Sequence, residues 1–324
     1  MRLYNLIKPI LFSLEPELAH DLVCKSLEKF PNLFDYKSNN QLHKKTLGGL
    51  EFPNPIGLAA GFDKNAKLIN QIQNLGFGFM EVGTITPKPQ SGNPKPRMVR
   101  LELQQSLINS MGFNNDGLDV IAKRLEKRTT NDFIIGANIG KNKSTPNYKA
   151  HQDYSDCFYV LQDLVDYITI NISSPNTPTL RELLENNSLQ IILETIQNIN
   201  KKRTIEKPVF LKISPDLTDD EIIRITKTCE SFELTGIVST NTTTNHTYSY
   251  GGLSGKLLSM RSRKVSNLIK QNSKLIVICS GGIVDKEIAL DRLNNFDLIQ
   301  LYTGLVYQGP TLPRDILKSI SQTR

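Results

Sequence analysis

The sequence predicts an α/β protein, a (β/α)8 TIM barrel with a small N-terminal helical extension, on three observations. From residue 55 onward, eight short apolar runs rich in Val, Ile and Phe alternate with longer helix-like segments. Eight strand–helix units over about 270 residues match the size of a closed parallel barrel. No GxGxxG turn follows the first run, which disfavours the alternative, an open doubly wound sheet.

The predicted strands are Ile56–Ala60, Phe77–Val82, Phe133–Ile139, Tyr167–Ile172, Val209–Ile213, Gly236–Thr240, Leu275–Ser280 and Leu298–Thr303. Each is a short, mainly apolar run, as expected of a strand buried on both faces. The intervening segments carry apolar residues at three- and four-residue steps and read as helices: Lys64–Leu75, Gly117–Lys127, Tyr154–Leu164, Leu189–Lys202, Asp219–Glu230, Met260–Gln271, Asp285–Leu293 and Leu312–Ser319.

The first 40 residues follow a different pattern and form a separate module, with the barrel over 41–324. Leu3, Leu6, Ile7, Ile10, Leu11 and Leu14 make one apolar stripe on a helix that Pro9 bends or begins. A second helix starts near Glu15-Pro16, carries Leu18, Leu22, Val23, Leu27 and Phe30, and stops at Pro31. The pair can pack on the main domain. It can also lie on a membrane surface, with Arg2, Lys8, Lys25 and Lys29 offered to anionic headgroups.

The 324 residues are 39% hydrophobic and 22% charged, the composition of a folded globular chain. Lys and Arg number 39 against 32 Asp and Glu, and the net charge of +7 favours anionic partners. Phosphate cofactors and acidic lipids fit; nucleic acid is not expected, because no aromatic-interleaved basic patch or binding motif is present. The four cysteines form no CxxC pair, and with no signal-peptide pattern they read as free thiols in a reducing compartment. The four histidines are scattered without ligand spacing, so no metal site is expected. No stretch approaches the ~20 apolar residues that span a bilayer.

In such a barrel the strand exits build the active site. Here they read Ala59-Ala60-Gly61-Phe62-Asp63-Lys64, Gly83-Thr84, Asn138-Ile139-Gly140, Asn171-Ile172-Ser173-Ser174-Pro175-Asn176, Lys212, Ser239-Thr240-Asn241-Thr242, Ser280-Gly281-Gly282 and Tyr302-Thr303-Gly304. Glycines after the last two strands, beside Gly255, suit backbone N–H contact with a phosphate. Asn109, Asn171, Asn176 and Asn241 offer carboxamides that match the lactam edges of a pyrimidine-like ring. The connection from Thr84 to Asp116, roughly 30 residues and well beyond an ordinary βα loop, reads as a lid or wall of the site.

These residues carry a resemblance. The chain resembles the membrane-associated, quinone-reducing class of dihydroorotate dehydrogenases, from Pro16-Glu17-Leu18-Ala19-His20 to Gln308-Gly309-Pro310. Between them lie Gly57-Leu58-Ala59-Ala60-Gly61-Phe62-Asp63-Lys64, Met111-Gly112-Phe113-Asn114, Asn138-Ile139-Gly140-Lys141-Asn142-Lys143, Ile172-Ser173-Ser174-Pro175-Asn176-Thr177, Thr240-Asn241-Thr242 and Gly251-Gly252-Leu253-Ser254-Gly255. The resemblance implies oxidation of dihydroorotate to orotate in pyrimidine synthesis, with one FMN per chain and a membrane quinone as electron acceptor.

It further implies that Ser174 is the catalytic base, where soluble classes carry cysteine. Lys64, Asn109, Ser110, Met111, Gly112, Phe113, Asn171, Asn176, Asn241 and Thr242 would surround the substrate. Ala60, Gly61, Phe62, Asp63, Lys64, Thr84, Asn138, Asn171, Lys212, Thr240, Gly255, Gly282, Tyr302 and Thr303 would hold FMN. His20, Arg100 and Tyr302 would line the inner end of the quinone path. The implied location is peripheral, on an anionic lipid surface at the cytoplasmic face of a bacterial inner membrane, with no obligatory protein partner. A soluble relative using fumarate or an NAD-linked acceptor is the competing reading.

Overall fold

The structure, a computed structural model, describes residues 3–31, 43–129, 132–177, 180–184 and 187–322. The expected module boundary at residue 40 and Arg2 lie outside them.

Helices α1 (Leu3–Ser13) and α2 (Pro16–Lys29) come first. Glu15 caps α2 by accepting from the Leu18 N–H at 2.9 Å, and Pro16 occupies the first turn, where its missing N–H costs nothing. Pro9 lies inside α1. A hairpin follows, β1 (Lys45–Leu47) and β2 (Leu50–Phe52).

The barrel strands are β3 (Ile56–Leu58), β4 (Phe79–Ile85), β7 (Ile134–Ile139), β8 (Tyr167–Asn171), β9 (Val209–Ile213), β10 (Gly236–Ser239), β12 (Ile276–Ser280) and β13 (Leu298–Leu301). They pair in that order, all parallel, and β13 closes on β3. Seven of the eight predicted runs contain their strand, and the eighth, Phe77–Val82, overlaps β4, which continues three residues further to Ile85. The remaining strands, β5 (Met98–Leu101), β6 (Ser106–Asn109) and β11 (Gly252–Gly255), form a small antiparallel sheet. The long connection after β4 is therefore partly β-structured, and it is tied to the segment that follows β10.

The outer helices are α3 (Leu118–Leu125), α4 (Ala150–Leu161), α5 (Ser188–Asn200), α6 (Asp219–Ser231), α7 (Ser259–Asn272), α8 (Lys286–Asn295), α9 (Thr303–Gln308) and α10 (Leu312–Gln322). One expected helix is largely absent: of Lys64–Leu75 only a 3-10 turn at Ile72–Leu75 is helical. The reason is Asp63, whose carboxylate accepts from the N–H groups of Asn65, Lys67 and Leu68 at 2.7–3.3 Å and competes with helical pairing.

The barrel interior is layered. At the amino-terminal end, Phe79, Tyr167 and Phe210 form an aromatic floor with Phe52 of the hairpin. Each of the three strand rings lies in register with a glycine on the next strand: Phe79 with Gly57, Tyr167 with Gly136, Phe210 with Gly236. A Cβ at Gly136 would meet the Tyr167 ring at 2.1 Å, so the rings fit because those positions are bare. Two residues further along the same strands the interior turns polar, with Glu81, Thr169 and Lys212.

The helix pair docks at the opposite, carboxyl-terminal end. Tyr4 OH donates to the Val306 carbonyl and Lys8 Nζ to that of Tyr307 at 2.9 Å, while Phe12 packs edge-on to Tyr307. This docking face is not the stripe read from the sequence. Leu6, Ile7 and Ile10 of α1 and Leu18 and Leu22 of α2 are exposed.

Candidate active site

At the carboxyl-terminal mouth of the barrel lies a cavity of about 160 Å³. The first exit contributes Ala60, Gly61 and Lys64, the second Thr84, and the long connection Asn109, Met111, Gly112 and Phe113. Asn171, Ser174 and Asn176 enter from the β8 exit, Lys212 from β9, and Thr240, Asn241 and Thr242 from β10. Gly255, Gly282, Tyr302 and Thr303 close the far wall. Residues spread over nearly 250 positions thus converge because parallel strands all end at one rim.

Six expected residues lie elsewhere. Ser110 lines neither of the two main cavities; its backbone N–H and carbonyl are engaged by Arg97 and Asn93. Asn138 is fully buried one layer deeper. Phe62, Asp63 and His20 line a second cavity, of about 190 Å³, between α2 and the β3 exit. Arg100, expected at the inner end of that path, lines neither cavity. Its guanidinium donates to the carbonyls of Leu11, Phe12 and Leu14 and so caps the carboxyl end of α1.

The two cavities share a wall made of Lys64, Met98, Met111 and Tyr302. Lys64 Nζ donates to the Gly61 carbonyl at 2.7 Å, and burial, reinforced by Arg97, brings its pKa down to about 8. Burial and the nearby Lys64 lower His20 to about 4, so its imidazole is neutral at neutral pH, with Nε2 3.0 Å from the Phe62 carbonyl oxygen.

The carboxamides are knit together. Asn171 Nδ2 donates to Thr84 Oγ1 at 3.0 Å and Asn138 Oδ1 at 2.9 Å, while its Oδ1 accepts from the Ser173 hydroxyl at 2.9 Å. Asn241 Nδ2 donates to Ser173 Oγ at 3.0 Å, and Asn176 Nδ2 to the Asn109 carbonyl at 3.0 Å. Ser174, 5% exposed, accepts from the Asn176 N–H at 3.3 Å. Such interlocking fixes polar groups in place before any ligand arrives.

Three features of the lining suit the flavin mononucleotide that the resemblance implies. Lys212 is 5% exposed, and its Nζ has no hydrogen-bond or ion-pair partner among the described residues. Gln300 Oε1 is buried and unpartnered on the same wall. At the other end, Gly282 adopts φ +76° and lies so close to Ser259 that a Cβ would approach its Cα to 2.2 Å, leaving a bare backbone cradle for a phosphate. A planar ring with polar edges and an anionic tail satisfies all three features.

The model of the dihydroorotate dehydrogenase family matches residues 42–323. The chain belongs to the dihydroorotate dehydrogenase family. It is 44% identical to the dihydroorotate dehydrogenase (quinone) of Christiangramia forsetii, with 98% of each chain covered. It is 42% identical to the protein of the same name from Coxiella burnetii, covering 99% of this chain and 98% of that one. Among solved structures, the Eimeria tenella dihydroorotate dehydrogenase in complex with ferulenol superposes with a TM-score of 0.88 at 35% identity, over 97% of this chain and 95% of that one. The family's barrel is therefore the one seen here.

Residues not singled out in the sequence also line the main cavity, including Met98, Leu107, Ser254 and Gln300. Ser254 Oγ pairs with Thr303 Oγ1 at 2.9 Å. Gln300, and Glu81 below it, were legible as lone polar residues inside apolar strand runs. Thr177 Oγ1, buried and without a partner among the described residues, follows Ser174 in the same loop.

Proposed function

We propose that the chain oxidises dihydroorotate to orotate on one bound FMN and delivers the electrons to a membrane quinone, as a step of pyrimidine synthesis. The observation that carries this reading is the mouth cavity, which brings together the convergent carboxamides, Ser174, Lys212 and the glycine cradle.

Ser174 Oγ takes the proton from C5 of the substrate. A serine hydroxyl is a weak base, so it passes its own proton on as it accepts the new one; Thr177 Oγ1, unpartnered among the described residues, is the candidate relay, giving up its own proton toward solvent water as it accepts that of Ser174. A bound FMN would supply the acceptor for the hydride leaving C6 and the two-electron link to the quinone. Lys64 holds the substrate carboxylate, and Asn109, Asn171, Asn176 and Asn241 orient the ring through its lactam edges. Lys212 places a positive charge beside the flavin ring, and the backbones of Gly255, Gly282 and Thr303 receive its phosphate.

The second cavity serves as the quinone path, with His20 and Tyr302 at its inner end. The helix pair is a membrane and quinone-access module, and 41–324 is the catalytic barrel. Exposed Leu6, Ile7, Ile10, Leu18 and Leu22, flanked by exposed Lys25 and Lys29, suit an anionic bilayer surface. No described helix is long and apolar enough to cross a membrane. The proposed contact is peripheral, at the cytoplasmic face of a bacterial inner membrane.

The test is the visible absorption spectrum of the purified protein under anaerobic conditions. Flavin bands that bleach when dihydroorotate is added support the reading. Folded protein that takes up no FMN, or whose flavin dihydroorotate leaves oxidised, overturns it.

A further inference from the structure

The polar layer between the aromatic floor and the cavity holds two opposite charges, Glu81 on β4 and Lys212 on β9, both buried. They form no ion pair within 4.0 Å. Glu81 is 0% exposed, and four side chains donate to it: Asn138 Nδ2 at 2.7 Å, Gln300 Nε2 at 2.9 Å, Thr169 Oγ1 at 3.0 Å and Tyr167 OH at 3.4 Å. Four donors from four other chain positions are the complement of a carboxylate. Because Asn138 commits its nitrogen to Glu81, its oxygen faces upward and accepts from Thr84 Oγ1 at 2.6 Å and Asn171 Nδ2 at 2.9 Å. Both of those residues line the cavity.

We propose that Glu81 is a positioning residue of this site, the buried counter-charge that keeps Lys212 a cation and the anchor that fixes the Asn138–Thr84–Asn171 network. This rests on the reading of Lys212 as a flavin contact. Burial alone drives Lys212 toward its neutral form, and Glu81 is the charge that opposes this. The flanking strands bring only uncharged residues into register with Lys212, Asn171 from β8 and Val238 from β10. A carboxylate spread over four donors can act on Lys212 through space without occupying the ammonium, which stays free to face the cavity.

The test uses the FMN-loaded full chain and the pH dependence of the midpoint potential of the bound flavin. Two opposite signs are at stake for Glu81→Gln. If Lys212 loses its proton once the counter-charge is gone, the potential falls; a fall of about 30 mV corresponds to a tenfold loss in the reduction equilibrium. If Lys212 keeps its proton, removal of an anion raises the potential. A fall, with a new pH-dependent step absent from the wild type, is expected. A rise or no change, with Lys212→Met still lowering the potential, overturns the role of Glu81 alone. An unmoved potential in Lys212→Met overturns the placement of Lys212 against the flavin and this proposal with it. Should Glu81→Gln not fold, the double variant Glu81→Gln/Lys212→Met decides. Recovery of folded flavoprotein supports the pairing, and failure to recover while Lys212→Met folds overturns it.

Discussion

Glu17 of α2 receives three hydrogen bonds from Arg97, at 3.0, 3.1 and 3.2 Å, in a pair where both residues are less than a tenth exposed. Arg97 also donates to the carbonyls of Ser91 and Asn93, so one guanidinium fastens the helix pair to the long connection that walls the site. Replacing Arg97 by Met leaves the buried Glu17 carboxylate with only the long contact to Lys95 Nζ, at 3.8 Å, among the described residues, which costs about 3 kcal/mol. Chemical unfolding should show that loss, and a variant within 1 kcal/mol of wild type, about the worth of an exposed pair, would mean the fastening is incidental.

Ser174→Ala should retain flavin but slow its reduction by dihydroorotate by roughly 10²–10⁴-fold, the usual worth of a positioned acid–base group. Anaerobic stopped-flow absorbance measures this directly. Reduction at the wild-type rate removes Ser174 as the base.

Lys64 titrates near 8 and carries the charge assigned to the substrate carboxylate. Raising the pH through that value discharges it, so KM for dihydroorotate should climb above about pH 8 with kcat less affected. Lys64→Met should show a high KM that is flat from about pH 7 to 9. A wild-type KM independent of pH over that range contradicts the contact.

His20 is held near 4 in the fold against about 6.5 in an unfolded chain. Between those values the unfolded state binds the extra proton, so stability is fully present above about pH 6.5 and declines as pH falls toward 4. His20→Gln should flatten that part of the curve of thermal midpoint against pH. An unchanged acid slope assigns it to the carboxylates instead.

Leu6→Glu/Ile10→Glu places two charges on the exposed face of α1. Losing the burial of two aliphatic side chains, about 1.5–3 kcal/mol each, should weaken partitioning onto anionic vesicles by about 10²-fold or more. Quinone turnover on those vesicles should fall with it, while flavin reduction by dihydroorotate stays near wild type. Undiminished co-sedimentation would assign the membrane contact to another surface.

The strands were legible because a barrel strand is apolar on both faces, although the run ending at Val82 stopped short of β4, which continues through Gly83 and Thr84 to Ile85. The helix over Lys64–Leu75 was misread, since its apolar spacing is real but the Asp63 carboxylate captures the Lys67 and Leu68 amides that the first i→i−4 bonds of such a helix would use. The glycine–aromatic pairing of the floor was invisible, because Gly136 and Tyr167 are neighbours only through interstrand register. The same holds for Arg100: its place beside α1 depends on how the helix pair docks, and no local pattern encodes that.

The partition built from Lys64, Met98, Met111 and Tyr302 has a pharmacological consequence. Two adjoining chambers can be occupied at once, so under the proposed function a polar orotate mimic and an apolar acceptor mimic need not displace each other. Their effects should multiply, and resistance to one, arising in its own chamber, should leave sensitivity to the other intact unless the mutation falls on the partition itself.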